Sequence, residues 1–170
     1  MFHHDISNSN ISAAGQRLRE VLDSTAVITD VDECHRRSSN AWVPALPEQR
    51  PAIVVQPETT EQVSQILRIC SSLRIPVTSF SGGTSLSGAI IATRGGICVD
   101  FARMNKILSV NSADMDAIVQ PGVGWQQLND RLNQDDFFFP PDPSPDACVG
   151  GMVSLGSLQN CLVHQHDQNC

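Results

Sequence analysis

Between residues 52 and 80 the apolar positions switch from the continuous run of a buried strand to the three-four spacing of a helix, and back again. Ala52, Ile53, Val54 and Val55 form a short β-type run that Pro57 ends. Thr59-Thr-Glu-Gln62 supplies a capping-box pattern, and Val63, Ile66, Leu67 and Cys70 then fall at i, i+3, i+4 and i+7, which predicts a helix ending near Leu73. Pro76 introduces a second strand over 77–80, so residues 52–80 read as one β-α-β unit. Upstream, the pattern predicts a helix over 13–22 and an irregular arm over 30–50, with Trp42 and the basic run His35-Arg-Arg37, expected to lie across the surface. Downstream, it predicts a strand over 96–100, a turn or brief helix over 101–107 and a fourth strand over 117–120. Trp125, Leu128 and Leu132 then repeat at helical spacing as core positions. Residues 137–145 are apolar and then proline-locked, hence stiff and extended, serving either as a rigid linker or as a ligand contact with little entropy left to lose. The fold class expected is α+β, mixed α/β, with the β-α-β subdomain preceding the start of an incomplete antiparallel second subdomain.

Composition narrows the functional classes. The 170 residues are 41% hydrophobic and 17% charged, enough for one globular domain with a real core. The formal net charge is −7 and Lys106 is the only lysine, which argues against nucleic acid or an anionic membrane surface as partner. No apolar run reaches the roughly 18 residues of a transmembrane helix, and the N-terminus reads neither as a signal peptide nor as a good organellar presequence. The six cysteines contain no C-x-x-C pair, so a disulfide framework or zinc knuckle is not expected; Cys70 and Cys98 read as small core residues. His164 and His166 are metal ligands by type, but an unpatterned His-x-His reads as solvated, and no metal site is expected.

The richest chemistry lies at Ser81-Gly-Gly-Thr-Ser-Leu-Ser-Gly88, where the strand over 77–80 empties into a loop of glycines and hydroxyls. With Gly82, Gly83 and Gly88 free to take positive φ, successive backbone N–H groups can converge on an anion, and Thr84, Ser85 and Ser87 add hydroxyl donors. In open α/β sheets ligands collect at the carboxyl ends of strands. The loop lacks the lysine of a P-loop, and no helix opens behind it as a dinucleotide fingerprint requires. A plain tight turn between strands remains the alternative. Pro121-Gly-Val-Gly124, after the fourth strand, is another point where backbone can approach a ligand closely.

Four segments in this order resemble one family: flavoproteins with a vanillyl-alcohol-oxidase (PCMH)-type FAD-binding domain, and within it the D-lactate and glycolate dehydrogenases. They are residues 52–63, the Gly82–Gly88 loop, Gly95-Gly-Ile-Cys-Val-Asp-Phe-Ala-Arg-Met-Asn-Lys-Ile107 with Val119-Gln-Pro-Gly-Val-Gly-Trp125, and Phe139-Pro-Pro-Asp-Pro-Ser-Pro145 leading to Val149-Gly-Gly-Met152. The Gly-Gly-Thr-Ser-Leu loop and the Pro-Pro-Asp-Pro run look especially like the cytochrome-linked D-lactate dehydrogenases. The resemblance implies FAD extended between two subdomains, its pyrophosphate on the backbone of Gly82, Gly83, Thr84, Ser85 and Leu86, with Gly88 closing the turn. Further cofactor contacts are implied for Pro121, Gly122, Pro141, Asp142, Pro143, Ser144, Gly150 and Gly151. It also implies oxidation of a D-2-hydroxy acid, D-lactate foremost, by hydride transfer to flavin N5, with cytochrome c or another acceptor taking the electrons. A mitochondrial location is implied, with a cytoplasmic one as the alternative.

The resemblance stops near residue 153. Residues 1–50 read as an N-terminal helix and arm, 51–153 as a partial FAD-binding domain, and 154–170 as a tail foreign to the family, of the kind a frameshift, intron or alternative exon produces. The expectation is a truncated FAD-binding fragment, inactive alone, whose substrate-binding cap domain is absent and in which no side chain is named as catalytic. Alternatives are a catalytically dead nucleotide-binding or regulatory protein, and a FAD enzyme of the same superfamily with another substrate.

Overall fold

The computed structural model describes residues 4–156 and the backbone of 163–164. The chain divides into two compact units, residues 1–103 and 104–170. In the first unit α1 (Asn8–Val21), β1 (Val27–Ile28), α2 (Val31–Arg36), β2 (Ile53–Val55), α3 (Thr60–Ser72), β3 (Val77–Phe80) and β4 (Ile97–Asp100) follow one another. The sheet order is β1-β2-β4-β3: β1 runs antiparallel to β2, and β4 pairs parallel with both β2 and β3. The β-α-β unit therefore does not pair its own two strands, because β4 stands between them. Side-chain chemistry accounts for the placement. Ile97, Cys98, Val99 and Asp100 are all buried, as a central strand covered on both faces demands, whereas β3 alternates half-buried with exposed positions and tolerates the edge. Gly96 makes the close approach possible. At φ +83° it sits where an added Cβ would stand 2.2 Å from the Pro76 carbonyl oxygen, the atom that accepts the Ile97 N–H at 3.0 Å.

Both faces of this sheet are covered. Ile53, Val55, Ile97 and Val99 pack with Ala14, Leu18, Ile66 and Cys70 of α1 and α3, while Val54 and Cys98 pack with Cys34 of α2. The apolar face of α3 is rotated by about one position from the predicted one: Ile66 and Cys70 are buried, with Ile69 and Leu73 packed beside them, and Leu67 is exposed. The capping box is half formed. The Thr59 hydroxyl accepts the Gln62 N–H at 3.2 Å, but the Gln62 side chain accepts from Glu58 rather than from Thr59.

The arm contains a helix, α2, which the sequence pattern did not predict. Its start is capped by Asp30, whose carboxylate accepts the N–H groups of Asp32 and Glu33. Arg37 then reaches into the sheet. Its Nε lies 3.2 Å from Oδ2 of Asp100, a carboxylate only 1% exposed at the end of β4, which also accepts from Gln56 Nε2 at 2.8 Å and from the Ala102 N–H at 3.0 Å. Glu33 pairs with both Arg36 and Arg37.

The second unit holds a hairpin, β5 (Ile107–Asn111) antiparallel to β6 (Asp116–Val119), then α4 (Trp125–Leu132), β7 (Phe137–Phe138), α5 (Val149–Ser154) and β8 (Val163–His164), which pairs antiparallel with β7. The predicted fourth strand is β6, and its partner β5 was missed because a register shift between Ile107 and Ser109 breaks the alternation of inward and outward positions along Ile107-Leu-Ser-Val-Asn111. Val123, Leu128, Leu132, Phe137, Phe139, Ala147 and Met152 form the core. The His164 and His166 side chains, and residues 157–170 of the predicted foreign tail 154–170, lie outside the described residues apart from the backbone of β8. Among the described residues no helix is long and apolar enough to cross a membrane.

Removing Arg37 would leave Asp100 buried without a cationic partner. The expected cost of Arg37→Ala is about 3–5 kcal/mol, against less than about 1 kcal/mol for Arg36→Ala at its exposed pair, read from urea midpoints. The buried thiols give a pH signature. Burial pushes the Cys70 thiol from its ordinary 9.0 up to about 11, and pushes Cys34 and Cys98 upward as well. Between these two values the unfolded chain releases a proton at Cys70 that the folded chain keeps. The contribution is therefore intact below about pH 9 and lost as pH rises toward about 11. Unfolding free energies measured across that window are expected to fall, with a shallower slope in Cys70→Ala.

Candidate cofactor-binding site

The loop after β3 leaves the sheet at the carboxyl end of a parallel strand, with Gly83 at φ +68° and Gly88 at φ +75°. Gly83 has a second reason to be glycine, since a Cβ there would lie 2.7 Å from the Phe80 ring. Among the described residues no acceptor in the chain meets the N–H groups of Gly82, Gly83, Thr84, Ser85 or Leu86. The Ser85 and Ser87 hydroxyls are 3.0 Å apart, and the Ser87 N–H turns back to Ser85 Oγ at 3.3 Å. One proton of that hydroxyl pair is thus used internally, and the other has no acceptor among the described residues. Leu86 is 72% exposed. A half-buried row of neutral donors with no acceptor of its own suits an oxygen-rich anion such as a pyrophosphate, and it needs no lysine.

The arm holds this loop from behind. Asn40 Nδ2 donates to the carbonyls of Gly83 at 2.8 Å and Ser85 at 3.1 Å, while its Oδ1 accepts the N–H groups of Trp42 at 3.0 Å and Val43 at 2.8 Å. Ser38, fully buried, accepts the Ala92 N–H at 2.9 Å and donates to the Gln49 carbonyl. Sequence reasoning missed Asn40. The signal present was local: an asparagine starting a turn in which its own side chain caps N–H groups two and three residues on.

In the second unit the remaining candidates gather by backbone contact. The Gly150 N–H donates to the Pro121 carbonyl at 3.0 Å, and Val149 N–H to the Val123 carbonyl at 2.9 Å, so the Pro121-Gly122 turn and the Gly150-Gly151 pair are neighbours. A Cβ on Gly150 would stand 2.5 Å from the Pro121 Cβ, whereas one on Gly151 would meet nothing within 4 Å. The proline run is fastened along α4 at both ends. Asn129 exchanges two hydrogen bonds with the Phe139 backbone at 2.6 and 3.2 Å, and Trp125 Nε1 donates to the Ser144 carbonyl at 3.2 Å. Trp125 and Asn129 lie one turn apart on one helix face. Pro141 and Pro143 are half-buried between exposed Asp142 and Ser144, so the run presents polar groups outward in alternation.

A loop at the carboxyl end of a parallel strand, with N–H donors that meet no acceptor among the described residues, has the placement at which open α/β proteins collect ligands. The FAD binding domain family model matches residues 51–169, and the chain belongs to that family, whose cofactor is FAD. The chain is 38% identical over 147 residues to a mitochondrial D-lactate dehydrogenase [cytochrome] of Arabidopsis thaliana, covering 84% of this chain and 25% of that protein. It is 46% identical over 111 residues to D-lactate dehydrogenase [cytochrome] 1, mitochondrial, of Saccharomyces cerevisiae, covering 64% and 19%. It is also 35% identical over 112 residues to glycolate oxidase subunit GlcD of Bacillus subtilis, covering 65% and 24%. The chain thus spans a quarter or less of the length of these relatives. Among solved structures, p-cresol methylhydroxylase with substrate bound superposes with a TM-score of 0.75 at 25% identity over 87% of this chain and 30% of that one. Alkyldihydroxyacetonephosphate synthase gives 0.73 at 19% identity over 89% and 32%, a likeness of fold. The fold is accordingly the mixed α/β, PCMH-type one that the sequence resemblance implied.

The two neighbouring glycines of α5 separate packing from contact. Gly150→Ala is expected to destabilise the chain by about 2–3 kcal/mol, because backbone and proline ring must both shift, while Gly151→Ala is expected to stay within about 0.5 kcal/mol of the parent. Thermal denaturation of the two variants decides the point.

Proposed function

We propose that this chain is the FAD-binding part of a flavoprotein dehydrogenase acting on a D-2-hydroxy acid, D-lactate first. The observation that carries the reading is the row of N–H groups at Gly82, Gly83, Thr84, Ser85 and Leu86 with no acceptor among the described residues. The donor set fits a pyrophosphate, whose oxygens only accept. In this proposal Gly83 and Gly88 hold the turn open, the loop N–H groups receive the phosphate oxygens, and the second proton of the Ser85–Ser87 pair adds a hydroxyl donor. In the second unit, Pro121, Gly122, Pro141, Asp142, Pro143, Ser144, Gly150 and Gly151 are the proposed cofactor contacts. They sit on turns that the α4 side chains and the Gly150–Pro121 hydrogen bond keep in shape. When bound, FAD supplies a two-electron acceptor at flavin N5, chemistry that no amino-acid side chain offers.

The substrate class rests on the relatives. D-lactate dehydrogenase and glycolate oxidase are both named for 2-hydroxy acids, and the match to the Arabidopsis D-lactate dehydrogenase extends over 147 residues of this chain against 112 for GlcD. Cytochrome c as electron acceptor and a mitochondrial location are proposed on the same footing, from the relatives bearing both words in their names. No described side chain is assigned to proton abstraction from the substrate.

The test is direct. The purified chain is incubated with FAD, freed of unbound cofactor and scanned. A retained absorbance band near ~450 nm is expected, the signature of oxidised flavin. A folded chain that retains none would overturn the proposal.

A further inference from the structure

We propose that Asn40, in the arm and distant in sequence from every cofactor-loop residue, is a positioning residue that aims the loop's N–H groups outward. The inference rests on the reading of Gly82–Gly88 as the phosphate loop, and the geometry behind it is elementary. In a trans peptide the C=O and the following N–H point in opposite directions, and the described chain has no cis bonds. Asn40 Nδ2 draws the carbonyls of Gly83 and Ser85 toward itself, so the N–H groups of Thr84 and Leu86, which share those peptide planes, face away from it. They are two of the N–H groups left without an acceptor among the described residues.

The residue type is specified by its four bonds. An asparagine offers two N–H donors and an acceptor oxygen, and here both amide roles are in use: two donations to the loop and two acceptances from Trp42 and Val43. Aspartate would keep the turn at Trp42 and Val43 but would set a carboxylate oxygen against two carbonyl oxygens. The arm that carries Asn40 is itself anchored, three residues earlier, by Arg37 on buried Asp100, and two residues earlier by Ser38 on Ala92. Asn40 is therefore a fixed point against which the loop is held.

The experiment compares the 15N-labelled full chain with Asn40→Asp and Asn40→Ala, following amide resonances alone and during titration with FAD. In the parent chain, FAD is expected to shift the Thr84 and Leu86 amides. In both variants those amides are expected to move already in the free protein while the α3 amides hold, and FAD affinity is expected to fall about tenfold or more. Asn40→Asp is the decisive variant, because it retains the turn and so separates the orientation of the loop from folding of the arm. Variants that bind FAD as the parent does, with unmoved Thr84 and Leu86 amides, overturn the role of Asn40 while leaving the phosphate loop standing. A parent chain whose loop amides ignore FAD overturns the phosphate reading, and this inference with it.

Discussion

A carboxylate 1% exposed at the end of the central strand is the constraint on which the first unit depends. A charge removed from water is tolerated only when paired and hydrogen-bonded, and β4 cannot supply the partners for Asp100 by itself. Arg37 and Gln56 come from the arm and from the end of β2, and the Ala102 N–H closes the remaining side. Meeting that requirement brings residues 37–40 down onto the sheet, next to the loop that follows β3. The arm is thus part of the loop's geometry rather than a surface strap. Its hydrogen bonds, from Ser38 to Ala92 and from Asn40 to Gly83 and Ser85, follow from where Asp100 places it.

Among its described residues the second unit achieves comparable order without a buried charge. Its turns are held by backbone contacts that only glycine permits, above all Gly150 against Pro121, and by two side chains one helical turn apart on α4. Proline contributes stiffness and asparagine contributes fastening. Residues 139–144 have no regular secondary structure, yet each end of the run is tied to α4. A segment so held loses little further entropy on meeting a ligand, which is the property a cofactor contact needs.

The proposed phosphate loop carries no lysine, which fits a chain with a net charge of −7. Neutral N–H donors attract an anion only at short range and only if they are pointed correctly, so orientation does the work that net charge does in a basic site. Orientation is also what the surrounding contacts provide, through the positive φ of Gly83 and Gly88, the Phe80 ring against Gly83 and the Asn40 amide. The thiols take no part in this arrangement. Cys34, Cys70 and Cys98 are buried, and burial keeps them protonated.

Much of the local structure was written in the chain. The β-run before Pro57, the Thr59 cap, the helix before Pro76, and the strand that empties into Gly82 each follow from propensity, proline or capping, which act within a few residues. The family was legible for the same reason: its resemblance lies in short motifs read in order along the chain, and the FAD binding domain match covers residues 51–169. Tertiary structure decided the rest. Whether β4 lies between β2 and β3 depends on which strand can bury both faces, and the rotation of α3 that exposes Leu67 depends on what α1 and the sheet present to it. Nothing within forty residues of Asn40 marks it as the partner of Gly83, because that contact joins residues far apart in sequence, on an arm that Arg37 fastens to Asp100 across the sheet. Short-range stereochemistry set the elements and the loop, and long-range pairing of a buried charge decided what stands behind that loop.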